Sequence, residues 1–132
     1  MTVPKRRWAI EFFRLADGSE PVRKWLNDLP DEVRGKVLAR VDLMAEHGPN
    51  LDYPYTSQIE GPLRELRLRF GKARYRILYF FDENRVGILL HGFTKNTASV
   101  EEADKKIAKA RIEQHSERLK RQKPKQEQQK KR

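Results

Sequence analysis

Leu66, Arg67, Leu68, Arg69 and Phe70, then Gly71 and Lys72, then Arg74, Tyr75, Arg76, Ile77, Leu78, Tyr79, Phe80 and Phe81 form the stretch whose reading decides the fold. Successive side chains of a strand point to opposite faces, so this period of two around a glycine turn predicts a β-hairpin. Leu66, Leu68 and Phe70 share one face of the first strand, and Arg67 and Arg69 share the other. On the second strand Tyr75, Ile77 and Tyr79 lie together, opposite Arg74, Arg76, Leu78 and Phe80; the tyrosines read as core-facing aromatics. Asp82, Glu83 and Asn84 supply a further tight turn, and Arg85 to Phe93 a third strand, completing a meander.

Before the hairpin, Arg7 to Leu15 is aromatic-rich and of strand length. Ser19 is placed to cap a short helix with Pro21 in its first turn, burying Val22, Trp25, Leu26 and Leu29 at helical spacing. Pro30 ends that helix. A second, from Asp31 to about Glu46, presents Val33, Val37, Leu38, Val41, Met44 and Ala45 on one stripe, and His47, Gly48 and Pro49 stop it. Asn50 to Pro62 reads as an irregular connector. Beyond the meander, Ser99 and Glu102 match a capping box that opens a third helix, with Val100, Ala103, Ile107 and Ala110 on one side. The expected fold is α+β: order β-α-α-β-β-β-α, an antiparallel sheet with the two N-terminal helices on one face.

The chain has 132 residues, 29 Lys and Arg against 19 Asp and Glu, and 37% apolar residues, which fits one small domain. Its longest unbroken apolar run, Ile77 to Phe81, falls far short of the roughly 18 residues of a membrane span. Glu11 interrupts the apolar segment after Lys5, Arg6 and Arg7, so no secretory signal is expected and the expected location is cytoplasmic. Without cysteine there is neither disulfide nor thiolate chemistry. Charge is uneven: residues 1–100 hold 17 basic and 13 acidic side chains, residues 101–132 hold 12 and 6. This divides the chain into an ordered domain, 1–112, and a basic low-complexity tail, 113–132, expected to be disordered because it has too little apolar surface to offset its ordering entropy. The tail fits a solvated solubility segment and a polyanion-binding arm alike.

Between Gly61 and Arg76 stand Arg64, Arg67, Arg69, Lys72, Arg74 and Arg76 against the single acid Glu65. Arg67 and Arg69 project together and the hairpin brings Arg76 beside them, so three guanidiniums converge. Arginine's planar fork suits phosphate oxygens, but a solvated strand face would show the same pattern, and the pattern alone leaves both open. His91 ends the run Ile88, Leu89, Leu90 and fits either a packed, capping histidine or one exchanging protons near neutral pH. His47 reads as a helix-end residue and His115 as part of the tail. These dispersed histidines give no metal-ligand spacing; there is no glycine-rich phosphate loop or nucleophile elbow, and no cofactor is expected.

The run Leu63-Arg64-Glu65-Leu66-Arg67-Leu68-Arg69-Phe70, followed by Tyr75-Arg76-Ile77-Leu78-Tyr79-Phe80 and by Leu89-Leu90-His91-Gly92-Phe93-Thr94-Lys95, resembles the HigB-like, phage-related branch of the RelE/ParE toxin superfamily, over roughly Trp8 to Arg111. The resemblance implies a RelE-like fold and a toxin of a type II toxin–antitoxin pair, a ribosome-dependent endoribonuclease that cuts messenger RNA without a metal. It implies that Arg67, Arg69 and an outward-facing Arg76 stabilise charge on the scissile phosphate, with His91, or less directly Glu65, moving the proton. Arg64, Lys72, Arg74 and Lys95 would bind RNA. The implied partners are a cognate acidic antitoxin with a helix-turn-helix domain, the ribosome and messenger RNA, with no membrane. Two alternatives remain: a ParE-like toxin directed at gyrase, which shares the fold but whose sheet face would not need convergent arginines, and a nucleic-acid-binding module without catalysis whose basic tail is the active part.

Overall fold

The computed structural model describes residues 7–52, 54–95 and 100–130, with side chains as far as residue 122 in the last helix. The elements are β1 (Ile10–Phe12), α1 (Pro21–Asn27), α2 (Asp31–His47), a 3-10 turn (Gly48–Asn50), β2 (Thr56–Glu60), β3 (Leu63–Phe70), β4 (Ala73–Phe81), β5 (Gly87–Lys95) and α3 (Glu102–Lys130). The fold is α+β, as expected. None of the described helices is long and apolar enough to cross a membrane.

The five strands form one sheet in the order β1-β5-β4-β3-β2. The hairpin is where the alternation puts it: Phe70 pairs with Ala73 across Gly71 and Lys72, and Gly71 has φ +63°. A positive φ at the first of two central turn residues is the geometry that glycine adopts freely and that matches strand twist. Two expectations about the sheet are corrected. It is mixed, because β1 pairs in parallel with β5; β5 is a buried central strand whose outer edge would otherwise leave backbone groups unsatisfied. The pairing extends past β1 through Gly87 N–H to Ala9 O and Phe13 N–H to Leu89 O, both 2.9 Å. The connector also contains a strand: Thr56–Glu60 is mostly polar and shows no apolar alternation, and its extension comes from pairing with β3.

Helices cover both faces of the sheet, not one. On the first face Val22 and Leu26 of α1 and Val33, Val37 and Met44 of α2 pack on Leu66, Ile77, Tyr79 and Leu89. On the second, Phe13, Leu63, Leu78, Phe80, Ile88, Leu90 and Phe93 pack with Ala108 of α3. Each fully buried side chain of this size is worth about 1.5–3 kcal/mol. A Cβ at Gly92 would run into the Trp25 ring, so this mid-strand glycine lets α1 approach β5.

Ser19 does not cap α1. The N-cap is Glu20, while Ser19 bonds through its N–H and hydroxyl to Asp17 Oδ1 at 2.9 and 2.6 Å. Those bonds, the hydroxyl's first, hold the Asp17 carboxyl below its usual range. Ser99 lies outside the described residues. Of the expected α3 stripe only Val100, just before the helix, packs on the core: Ala103, Ile107 and Ala110 are exposed, and Asp104 and Ala108 are buried instead. Asp104 meets His91, and Arg111 Nη1 donates to Leu90 O at 2.7 Å. Leu90 is the extra residue of a β-bulge, Leu78 pairing with His91 and Tyr79 with Leu89, and its carbonyl is satisfied from the helix. Burial pulls the Arg111 guanidinium below its usual range.

The helix does not fray at 113. It continues because His115 bonds Asp82 at 2.8 Å and Arg118 Nη1 donates to Arg14 O at 2.7 Å, so polar anchors replace the missing apolar surface.

Candidate nucleic-acid interface

Register fixes the arrangement of the arginines. Arg67 pairs with Arg76 and Arg69 with Arg74, so two cross-strand arginine pairs stand one behind the other on the face that α3 covers elsewhere. Like charges directly opposite each other repel. Glu65, one step further from the turn on the same face, answers the first pair: its carboxylate accepts Arg76 Nη1 at 2.6 Å and the Ser57 hydroxyl at 3.0 Å, with Arg67 Nε at 3.4 Å.

Arg76 is therefore not outward-facing. The residue is 2% exposed and lies in a buried ion pair, correcting the sequence expectation. Glu65, too, is buried and committed to Arg76. Arg64 is turned away from the group altogether: on the α1/α2 face its Nη2 donates to Thr56 Oγ1 at 2.9 Å, and its Nε lies 3.4 Å from the Tyr79 hydroxyl. Burial, chiefly, pushes the Tyr79 phenol up, and Arg64 opposes that shift.

Arg69, Lys72 and Arg74 remain near the turn, where Arg69 and Lys72 are exposed, and among the described residues their side chains have no acidic partner. Lys95 is the register partner of Arg74 but is engaged by α3 and the turn before it, with Glu101 at 3.0 Å and Asp104 at 3.6 Å. Hydrogen bonding to Glu101 is the main cause of the upward shift of its ammonium. His91 shares this sheet face. Its ring stacks on Phe93, the register partner of Arg76, at 5.3 Å, and its Nε2 lies 2.8 Å from Asp104 Oδ1. His91 does not line the groove described next.

A groove of about 370 Å³ follows the free edge of β3, lined chiefly by Arg40, Tyr55, Arg67, Arg69, Arg74 and Arg76. Sequence reasoning missed Arg40 and Tyr55. Tyr55 O accepts the Arg67 N–H at 2.8 Å, taking the ladder position beside β3 just before β2 begins, and Arg40 Nη1 donates to Arg67 O at 2.9 Å. Arg40 also lies over the Tyr55 ring, 4.8 Å from its centroid. A concave strip of guanidiniums with one aromatic at its edge can take up an anionic backbone and the flat face of an attached ring. Among the described residues no group of three or more His, Asp or Glu side chains is placed to hold a metal ion.

Residues 24–113 match the protein family described as "Phage derived protein Gp49-like (DUF891)". Over 96 residues the chain is 32% identical to a protein of Mycobacterium tuberculosis (strain ATCC 25618 / H37Rv) named "Putative toxin HigB2", an alignment covering 69% of this chain and 48% of that protein. The chain thus spans about half the length of this curated relative. The family match runs from α1 through the meander into α3, and so contains both arginine pairs and the Glu65 beneath them. The chain belongs to the Gp49-like family of phage-derived proteins and is HigB-like in sequence.

Proposed function

We propose that this chain is the toxin of a type II toxin–antitoxin pair, a RelE-like protein acting in the cytoplasm as a ribosome-dependent, metal-independent endoribonuclease on messenger RNA. The likeness to a protein named as a toxin supports the first half. The observation that carries the second is the doubled arginine pair, Arg67 with Arg76 and Arg69 with Arg74, set against one carboxylate. Among the described residues four guanidiniums stand beside the Glu65 carboxylate, a local excess of positive charge that a polyanion relieves.

The roles divide according to burial. Arg69 and Arg74, with Lys72 at the turn, meet the phosphodiester directly, and Arg67 reaches it from the groove wall. Arg76 and Glu65 act through Arg67 as positioning residues. In the reaction the RNA 2′-oxygen attacks the adjacent phosphorus, forming the new P–O bond as the bond to the 5′-oxygen breaks. Charge gathers on the non-bridging oxygens, where fixed guanidiniums stabilise it more than in the ground state. The proton lost by the 2′-hydroxyl ends on the departing 5′-oxygen; His91, on the same sheet face but outside the groove, with its Nε2 2.8 Å from Asp104 Oδ1, is the group assigned to carry it. An acidic antitoxin with a helix-turn-helix domain neutralises the toxin by covering the basic groove.

Cell-free translation tests this. The protein should stop synthesis and shorten message only when ribosomes are engaged, and purified antitoxin complex should do neither. Intact translation with gyrase-dependent DNA breaks would replace the nuclease with the ParE-like activity. Retention of RNA with no cleavage and no arrest would leave only a binding module.

A further inference from the structure

Among the described residues Tyr55 is one of four large apolar side chains left in solvent, with 38% of its surface exposed, and it stands at the rim of the arginine groove. A tyrosine whose task was packing would turn its ring inward, as Tyr79 does. Tyr55 is instead pinned at the sheet edge: its N–H donates to Asp52 O at 3.0 Å, and its carbonyl accepts the Arg67 N–H at 2.8 Å. The ring is backed as well. Arg40, itself fixed by the bond from Nη1 to Arg67 O, lies 4.8 Å from the ring centroid, so the ring is held from the α2 side.

The backing has a chemical consequence. Through their shared bonds to the Arg67 backbone, Tyr55 and Arg40 are set in a fixed relation to Arg67, Arg69 and Arg74, the groups assigned to the phosphates. A cation over one side of an aromatic ring lowers its freedom to rotate and favours a second flat partner against what remains exposed.

We infer that Tyr55, backed by Arg40, is a stacking platform for an unpaired nucleobase next to the phosphate held by Arg67, Arg69 and Arg74. The groove then reads its ligand in two parts: charge along the backbone, and one base on the tyrosine. The platform makes Tyr55 a base-binding residue. Because every base has a flat face, it accepts any unpaired base without a hydrogen-bond code. This inference rests on the RNA-binding reading above.

The test compares two short single-stranded RNA oligomers at fixed salt, a normal oligoadenylate and an abasic ribose-phosphate oligomer of the same length. Affinities are measured for the full chain and for Tyr55→Phe and Tyr55→Leu, each checked for the folded far-UV spectrum. The unaltered protein should bind the base-bearing oligomer roughly tenfold more tightly. Tyr55→Phe should keep that preference. Tyr55→Leu should lose most of it while its affinity for the abasic oligomer stays within about twofold.

The outcomes separate the two claims. Failure of the unaltered protein to bind either oligomer sinks the RNA-binding reading and the platform with it. Binding of both oligomers equally leaves the phosphate groove standing and overturns the platform alone. The platform also falls if Tyr55→Leu weakens both oligomers in parallel, which would mark the ring as groove support, or if Tyr55→Phe behaves like Tyr55→Leu, which would place the role in the hydroxyl.

Discussion

The β3–β4 hairpin has two ends that continue one alternation and meet opposite surroundings. Away from the turn, Leu63, Leu66, Ile77, Leu78, Tyr79 and Phe80 are buried from both sides, by α1 and α2 on one face and α3 on the other. Toward the turn, the same register brings Arg67 opposite Arg76 and Arg69 opposite Arg74, and among the described residues Arg69 is exposed and Arg74 half-buried. Alternation decides which face a residue takes; the length of the covering helices decides whether that face is wet. Glu65 marks the border. It sits beside the last covered position and neutralises the first arginine beyond it, so Arg76 belongs energetically to the buried end although it was expected at the open one.

The sharpest way to break this comparison is to open the border. Glu65→Ala leaves Arg76 buried with no carboxylate, and Arg76→Ala leaves Glu65 in the same position; losing one partner of a buried ion pair costs about 3–5 kcal/mol. Each variant should show that loss in urea unfolding. Glu65→Leu combined with Arg76→Met should recover most of it, since an apolar pair of similar volume needs no desolvated charge. An Arg76→Ala protein as stable as the parent would place that arginine at the open end after all. Loss of toxicity in an unfolded Arg76→Ala protein, conversely, would say nothing about chemistry.

At the open end stability and activity should separate. Arg69→Ala and Arg74→Ala remove side chains with no acidic partner among the described residues, and surface changes of this kind stay within about 0.5 kcal/mol in stability. Under the proposed nuclease reading, each should raise the barrier to message cleavage by about 2.7–4 kcal/mol, the cost found for losing one anion-stabilising donor. Single-turnover cleavage on programmed ribosomes reads this directly. Full cleavage by the double variant would return the arginines to the status of a solvated strand face.

The buried end was legible in the sequence because its signals are local. Tyr75, Ile77 and Tyr79 at period two, and Val22, Leu26, Val33 and Val37 at helical spacing, each declare a face without knowledge of any other segment. What escaped depends on distant partners. Thr56–Glu60 has no apolar alternation and is a strand only because β3 offers it an edge. The α3 stripe is read as Ala103 and Ile107 by hydrophobicity alone. Its buried members are Asp104 and Ala108, and Asp104, Arg111 and His115 are drawn in by His91, the Leu90 carbonyl and Asp82 from strands and turns far back in the chain. Arg40 and Tyr55 join the site in the same way, through the backbone of Arg67. The Glu65–Arg76 pair was nearer to hand: a lone acid on the face of Arg67 and Arg69, within a run of six bases, already suggests that one of those bases is taken.

Lys95 tests where the open end stops. It is the register partner of Arg74, so by position it belongs to the bare row, yet Glu101 and Asp104 pair with it. Its charge is already answered, and a paired cation releases fewer counterions from RNA than a free one. Lys95→Ala should therefore weaken binding of single-stranded RNA less than Arg74→Ala does, and should flatten the salt dependence less. The hydrogen bond to Glu101, with a further pull from Asp104, raises the Lys95 ammonium above its ordinary value of 10.5. A raised folded-state pKa gives a stabilising contribution that is fully present below the unfolded value and is lost as pH climbs through the folded one, so the pairing holds throughout the neutral range. By NMR the Lys95 side chain should titrate above 10.5, and Glu101→Gln should bring the midpoint down and make Lys95→Ala more costly to RNA binding than in the parent. Equal losses from Lys95→Ala and Arg74→Ala would extend the open end to the edge of α3, because the carboxylates that the pairing requires would not be holding the lysine back from RNA.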